Sequence, residues 1–268
     1  MTDTGMQGVN AAALEARGLT LGWGDGPSVV EGVDLIVLPG QIACLVGRSG
    51  MGKTTILHAL AGLSLPRAGC VLLHGDDVTG QPGRVSYMLQ KDLLLPNLTV
   101  IDNACLPLTL GGMRKAKARE IARPLLERFG LKDAAAKWPS QLSGGMRQRA
   151  AFLRTYLMGN DVVILVEPFS ALDAITRADL RDWFRGEAAD LGLSTLMITH
   201  DADEACMMAD CVYVLGRPLQ GEGATNSPAT VIGQVEPSRP LGASAAEFAC
   251  TPEFLEAKVR VMDLLKRD

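Results

Sequence analysis

Four short apolar runs constrain the fold of this chain more than anything else in it. Gln41-Ile42-Ala43-Cys44-Leu45-Val46 ends at a glycine-rich turn, and Val162-Val163-Ile164-Leu165-Val166 ends at Glu167-Pro168. Leu196-Met197-Ile198-Thr199 ends at His200, and Val212-Tyr213-Val214-Leu215 completes the set. Continuous apolar runs of this length suit parallel strands covered on both faces. Helical patterns lie between them, at Thr54 to Leu63, Gly145 to Met158 and Thr176 to Asp190. Strands alternating with helices imply an α/β sheet with right-handed crossovers. Leu14 to Leu38 differs. Its short strand-like segments are broken by Gly22, Gly24, Gly26 and Pro27, which predicts an antiparallel β portion. Residues 91–157 are helix-rich, with a charged helix from Arg114 toward Phe129, and read as a helical insertion between strands. Gly221 to Ala249 is rich in Gly, Ser, Ala and Pro and is expected to be a loose connection to a final helix, Pro252 to Lys266.

Composition narrows the function classes. With 268 residues, 47% hydrophobic and 21% charged, the chain has an ordinary globular balance, which excludes a disordered or collagen-like protein. The net charge of −4 argues against a protein whose main task is gripping nucleic acid. Six scattered cysteines without a CxxC pair read as reduced thiols of a cytosolic chain. The three histidines form no ligand cluster, and the N-terminal residues lack the pattern of a secretory signal. No run of 18 apolar residues is present to span a membrane.

Gly47-Arg48-Ser49-Gly50-Met51-Gly52-Lys53-Thr54 fits GxxxxGK[ST], after a buried strand and at the start of a helix. Glycines there let successive N–H groups turn toward one anion, and the helix N-terminus adds partial positive charge. Lys53 can reach β and γ phosphates, and the Thr54 hydroxyl can ligate Mg²⁺. A second glycine signal, Ser143-Gly144-Gly145, opens the helix that carries Met146-Arg147-Gln148-Arg149. It is a second anion site, or else an ordinary capped helix. One nucleotide needs only one phosphate cradle.

Together these motifs resemble the nucleotide-binding subunit of ABC transporters, over about residues 14–217 and in that family's order. LSGGMRQR (142–149) is similar to the family signature, and GRSGMGKTT, through Thr55, to its Walker A. Gln90 stands where the family's Q-loop glutamine does, Phe169-Ser170-Ala171-Leu172-Asp173 resembles the D-loop, and His200 the switch histidine. The resemblance implies a P-loop NTPase core (about 14–90 and 158–217) with a mainly parallel sheet and an antiparallel β portion. A helical subdomain (about 91–157) and a C-terminal extension (218–268) complete a single nucleotide-binding domain. It further implies ATP and Mg²⁺ as cofactors, with Thr54 and Gln90 on the metal. Two copies would pair head to tail, each ATP lying between Lys53 of one and Ser143 of the other.

Roles for single residues follow from the same resemblance. Glu167 would be the general base, or else a solvated strand-end acid. His200 would contact the γ phosphate. Trp23 would stack on adenine, or else be a core or surface aromatic. Asp173 would act across the dimer interface, cap the following helix, or both. One position departs from the family pattern: Val166 stands where an Asp normally precedes the catalytic Glu and helps to hold the metal. An outer-shell partner lost from a metal site costs roughly 10–100-fold in affinity or activity. The stretches around Gln90, Asp173 and His200 look like the bacterial nitrate, sulfonate and taurine importer group, which includes relatives for pyrimidine precursors of thiamine. The partners then expected are a second ATPase subunit (a homodimer in the simplest case, or else a heterodimer), a membrane permease meeting the groove near Leu93 to Leu98, unless that loop packs on its own domain, and indirectly a periplasmic solute-binding protein. That places the chain at the cytoplasmic face of the inner membrane. The alternative carried by Val166 is a nucleotide-gated regulator impaired in hydrolysis. Relatives acting on DNA or ribosomes carry long coiled coils or two motif sets, and this chain has neither.

Overall fold

The computed structural model describes residues 11–218, 227–240 and 242–267. A six-stranded sheet forms the centre, in the order β10-β9-β3-β8-β7-β6. Its strands are β3 (Ile42–Gly47), β6 (Ser86–Met88), β7 (Val162–Val166), β8 (Ser194–Thr199), β9 (Cys211–Gly216) and β10 (Thr230–Val235). All neighbours run parallel except β10, which is antiparallel to β9. The four apolar runs are thus the four central strands. Their alternate residues serve two cores: Ala43, Leu45, Ile164 and Leu196 face one, Cys44, Val46, Leu165 and Met197 the other. Burial on both faces explains why no polar alternation shows in the sequence.

The first core is closed by a four-stranded antiparallel sheet, β2-β1-β4-β5, and by α1 (Lys53–Leu60). This sheet contains β1 (Leu14–Gly22), β2 (Ser28–Val37), β4 (Ala68–Leu73) and β5 (Asp76–Asp77). Tyr213 ties the two sheets together. Its hydroxyl donates to the Ile36 carbonyl at 2.8 Å and accepts from the Ile36 N–H at 3.1 Å. The expected helix from Thr54 stops at Leu60 and not at Leu63, because Gly62 turns left-handed (φ 71°). A side chain there would meet the backbone of Gln81 at 2.4 Å.

The helices of residues 91–157 are α2 (Val100–Ala104), α3 (Leu106–Leu110), α4 (Lys115–Arg128) and α5 (Gly144–Tyr156), with 3₁₀ turns between α4 and α5. The second core joins them to α6 (Ala174–Asp190), α7 (Ala202–Met208), α8 (Ala245–Phe248) and α9 (Pro252–Lys266). An aromatic cluster of Phe129, Phe152, Trp183 and Phe184 welds α4, α5 and α6.

The expectation of a loose connection at Gly221 to Ala249 is corrected. Residues 221–226 and 241 lie outside the described residues, but Thr230–Val235 adds strand β10 to the sheet edge and Ala245–Phe248 forms α8. The run Thr230-Val231-Ile232 supplies the β-branched side chains that a strand favours, and the small residues around it masked that signal. The extension is anchored to the core: Asp182 of α6 accepts the Ala245 N–H at 2.7 Å. Arg185, one turn on, pairs with Asp210 at 2.7 Å, and Asp210 also accepts the Ile42 N–H at the start of β3. A cavity of about 630 Å³ lies between α6 and this extension, lined by Arg185, Arg239 and Glu247 among others.

Candidate functional site

The carboxyl ends of parallel strands form the natural crevice of an open α/β sheet. Here β3, β8 and β7 are neighbours, and Lys53, His200 and Glu167 all stand just beyond their ends. After β3 the chain turns through Gly47 to Gly52 into α1. Gly52 is the N-cap of α1 at φ 95°, and a Cβ on it would lie 2.6 Å from Val30 Cγ1. A Cβ on Gly47 would lie 2.8 Å from the Leu215 carbonyl oxygen. Both positions therefore demand glycine for space, and Gly52 for its backbone as well. Gly50, at φ 85°, sits at the open tip between Arg48, Ser49 and Met51. No side chain caps α1, so its N-terminal amides carry no capping hydrogen bond. Lys53 arches over the loop and donates from Nζ to the carbonyls of Gly47 and Arg48, at 2.5 and 2.9 Å. Burial lowers its pKa, and the Glu167 carboxylate opposes that shift. Thr54 is exposed at the start of α1, whereas Thr55 is buried against the core.

Glu167 follows β7 with a left-handed backbone (φ 48°), rare for a residue with a side chain. Its N–H is pinned to the Ile198 carbonyl at 2.8 Å. The carboxylate meets His200 Nδ1 at 2.6 Å through Oε1, and accepts from the Thr199 hydroxyl at 3.2 Å through Oε2. The Glu167 side chain is 12% exposed and that of His200 58%. Gln90, past β6, donates from Nε2 to the Ser170 hydroxyl at 3.3 Å, and that hydroxyl donates to the Glu167 carbonyl at 3.0 Å. The structure thus brings together Lys53, Glu167, His200 and, through Ser170, Gln90.

The signature residues stand apart from this group. Ser143 caps α5 by accepting the Met146 N–H at 3.3 Å. Added Cβ atoms on Gly144 and Gly145 would meet Leu172 and Thr176, each at 2.9 Å, so these glycines let α5 approach the D-loop side. Asp173 caps α6, accepting the Thr176 N–H at 3.0 Å, and that bond lowers its pKa. Trp23 lies in the β1–β2 turn, 61% exposed, with its carbonyl accepting the Gly26 N–H. Val166 closes β7 as an apolar, half-buried residue. Among the described residues no cluster of three or more His, Cys, Asp and Glu could hold a metal.

Several contributing residues were not singled out from sequence. Thr199 and Ser170 carry hydrogen bonds to Glu167, and only their adjacency to His200 and Phe169 hinted at it. Arg154 of α5 donates to the carbonyls of Asp92 and Leu93, at 2.6 and 2.7 Å, and Arg147 pairs with Asp92 at 3.2 Å. These bonds clamp the segment after Gln90 to the signature helix. No short motif announces them.

Comparison with known proteins agrees with this architecture. The ABC transporter family model matches residues 30–170. The formylaminopyrimidine import ATP-binding protein ThiZ of Halalkalibacterium halodurans is 36% identical over 72% of this chain and 76% of its own. The aliphatic sulfonates import ATP-binding protein SsuB of Delftia acidovorans is 39% identical over 76% of this chain and 80% of its own. Among solved structures, cbiO1 from Clostridium perfringens, titled as part of the ABC transporter complex cbiONQ, aligns at TM-score 0.73. That alignment covers 96% of this chain and 98% of the other at 19% identity, a likeness of fold. The chain belongs to the ABC transporter family and is one of its ATPases.

Proposed function

We propose that this chain is the ATP-binding subunit of an importer of the nitrate, sulfonate and taurine group, working as a head-to-tail pair beneath a membrane permease. The observation that carries this reading is the convergence of Lys53, Glu167 and His200 at the ends of three adjacent parallel strands. Lys53 and the amides of residues 47–55 would take the phosphates, and Trp23 the adenine. Glu167 would accept the proton of the attacking water, and His200 would contact the γ phosphate. Ser143, Gly144 and Gly145 of a second copy would close over the nucleotide, with Asp173 at the seam between copies.

Mg²⁺ prefers oxygen ligands and keeps several waters. The exposed Thr54 hydroxyl and the Gln90 amide oxygen fit such a shell, and Val166 adds nothing to it. The donor set fits a metal held chiefly by phosphate and water, with Thr54 and Gln90 as the protein ligands. The ion would neutralise charge developing between the β and γ phosphates.

The groove expected for the permease near Leu93 to Leu98 would adjoin, at Leu93, a largely apolar cavity rimmed by Lys91 and Arg154. This cavity, of about 390 Å³, is also lined by Leu89, Leu106, Leu110 and Met158. No described helix is long and apolar enough to cross a membrane, so a separate permease would supply that part. The chain would sit at the cytoplasmic face of the inner membrane, with a periplasmic solute-binding protein as an indirect partner and no nucleic acid.

Val166 favours a second reading, a nucleotide-gated regulator that hydrolyses poorly. Mg²⁺-dependent ATP hydrolysis by the parent, Val166→Asp and Glu167→Gln separates the two. A parent that turns over, and loses turnover with Glu167→Gln, is a working motor. Activity confined to Val166→Asp identifies the regulator.

A further inference from the structure

We propose that Thr199 is a positioning residue for ATP hydrolysis: its hydroxyl keeps the Glu167 carboxylate aligned when His200 leaves that carboxylate for the nucleotide. This rests on the reading of Glu167 as the general base. Glu167 has two hydrogen-bond partners at its carboxylate, and they differ in kind. His200 is largely exposed at the crevice, and in the proposed function its ring turns from Glu167 toward a γ phosphate. Thr199, by contrast, is fully buried as the last residue of β8. A base held by His200 alone would lose its orientation at the moment the histidine engages substrate. A base also held by Thr199 would not.

The hydroxyl is itself oriented. Asp201 N–H donates to Thr199 Oγ1 at 3.2 Å, which occupies a lone pair and aims the single hydroxyl proton away from that amide. Glu167 Oε2 receives it. Glu204, buried in α7 with 2% exposure, is the other carboxyl near this hydroxyl. Burial raises the Glu204 pKa and the Thr199 hydroxyl opposes that rise, so Glu204 shares the network, while the 3.2 Å bond to Glu167 Oε2 is the one the geometry carries. The Glu167 backbone is fixed to the same strand end through Ile198. The end of β8 therefore sets both main chain and side chain of the base. A β-branched side chain suits this task, since χ1 of threonine is stiff.

The test is steady-state ATP hydrolysis by the full chain and its Thr199→Val and Thr199→Ser variants, with ATP affinity and melting temperature measured alongside. Valine keeps the shape and removes the hydroxyl; serine keeps the hydroxyl. The expected result is a fall in kcat of about tenfold to a hundredfold for Thr199→Val, the loss of a hydrogen bond to a charged group. KM and ATP affinity should stay within about twofold, and Thr199→Ser should recover most of kcat. If Thr199→Val turns over like the parent, the inference is wrong. If both variants lose activity and melting temperature together, Thr199 is only a packing residue and the inference is again wrong. If the parent itself is inactive while binding ATP, the failure belongs to the hydrolytic reading.

Discussion

Glu204 is buried within electrostatic reach of Glu167 and Asp201, and its titration should be visible in stability. Burial raises its pKa, and the neighbouring Asp201 and Glu167 add to the effect, while Thr199 and Arg181 oppose it. A carboxyl whose folded pKa exceeds its unfolded value, near 4.3, leaves the folded state favoured while it is protonated. Stability is therefore lost as pH rises through the raised value. Glu204→Gln removes that loss, so its melting temperature should match the parent near pH 4 and exceed it at pH 8. Thermal melts across that range check the sign. At the same scale, the substitution at Val166 was plain from sequence because the family pattern names the missing acid. Its consequence for the fold is small, since a valine completes β7 well.

At the scale of elements, the loop after Gln90 depends on one side chain from α2. Asn103 is fully buried; its Oδ1 accepts the Leu95 N–H at 2.7 Å, and its Nδ2 donates to the carbonyls of Leu95, Leu98 and Thr99. These bonds satisfy backbone groups that the loop cannot pair within itself. Asn103→Ala should destabilise the protein by about 2–3 kcal/mol, the penalty for stranding buried polar groups. Limited proteolysis should then cut within 93–98 well before the parent is cut there. Strands and long helices were legible in the sequence because apolar runs and 3.6-residue periods record burial directly. Asn103, Arg154 and Thr199 were not, because each acts on backbone or side chains brought near only by the fold. The strand Thr230–Val235 was missed for a related reason: six residues among Gly, Ser and Pro give a weak local signal, and pairing to β9 decides the outcome.

For the whole molecule, one copy holds both the phosphate loop and the signature, yet the signature contacts run toward Leu172 and Thr176. If sites form between copies, damage to the two motifs should be complementary. Lys53→Ala and Ser143→Arg should each be inactive alone. Mixing them should restore a fraction of turnover, because a mixed pair contains one undamaged site. Absence of any recovery in mixtures shown to form mixed pairs would count against the head-to-tail arrangement. The Ser143 change also removes a helix cap worth about 1 kcal/mol, so its folding needs a parallel melt.

The helix α6 runs from the Asp173 cap to Asp190, and two of its side chains grip other parts of the chain. Asp182 holds the first turn of α8, and Arg185 holds the Asp210 that anchors the start of β3. Seventeen residues of helix span about 25 Å. If two copies pair as proposed, a rod of that length, capped at one end by Asp173 and bolted near its middle to the C-terminal extension, would convert a small tilt at that end into a sideways stroke elsewhere. The extension would then lie mechanically in series with the proposed nucleotide site, and a change in its sequence would retune turnover without touching a phosphate.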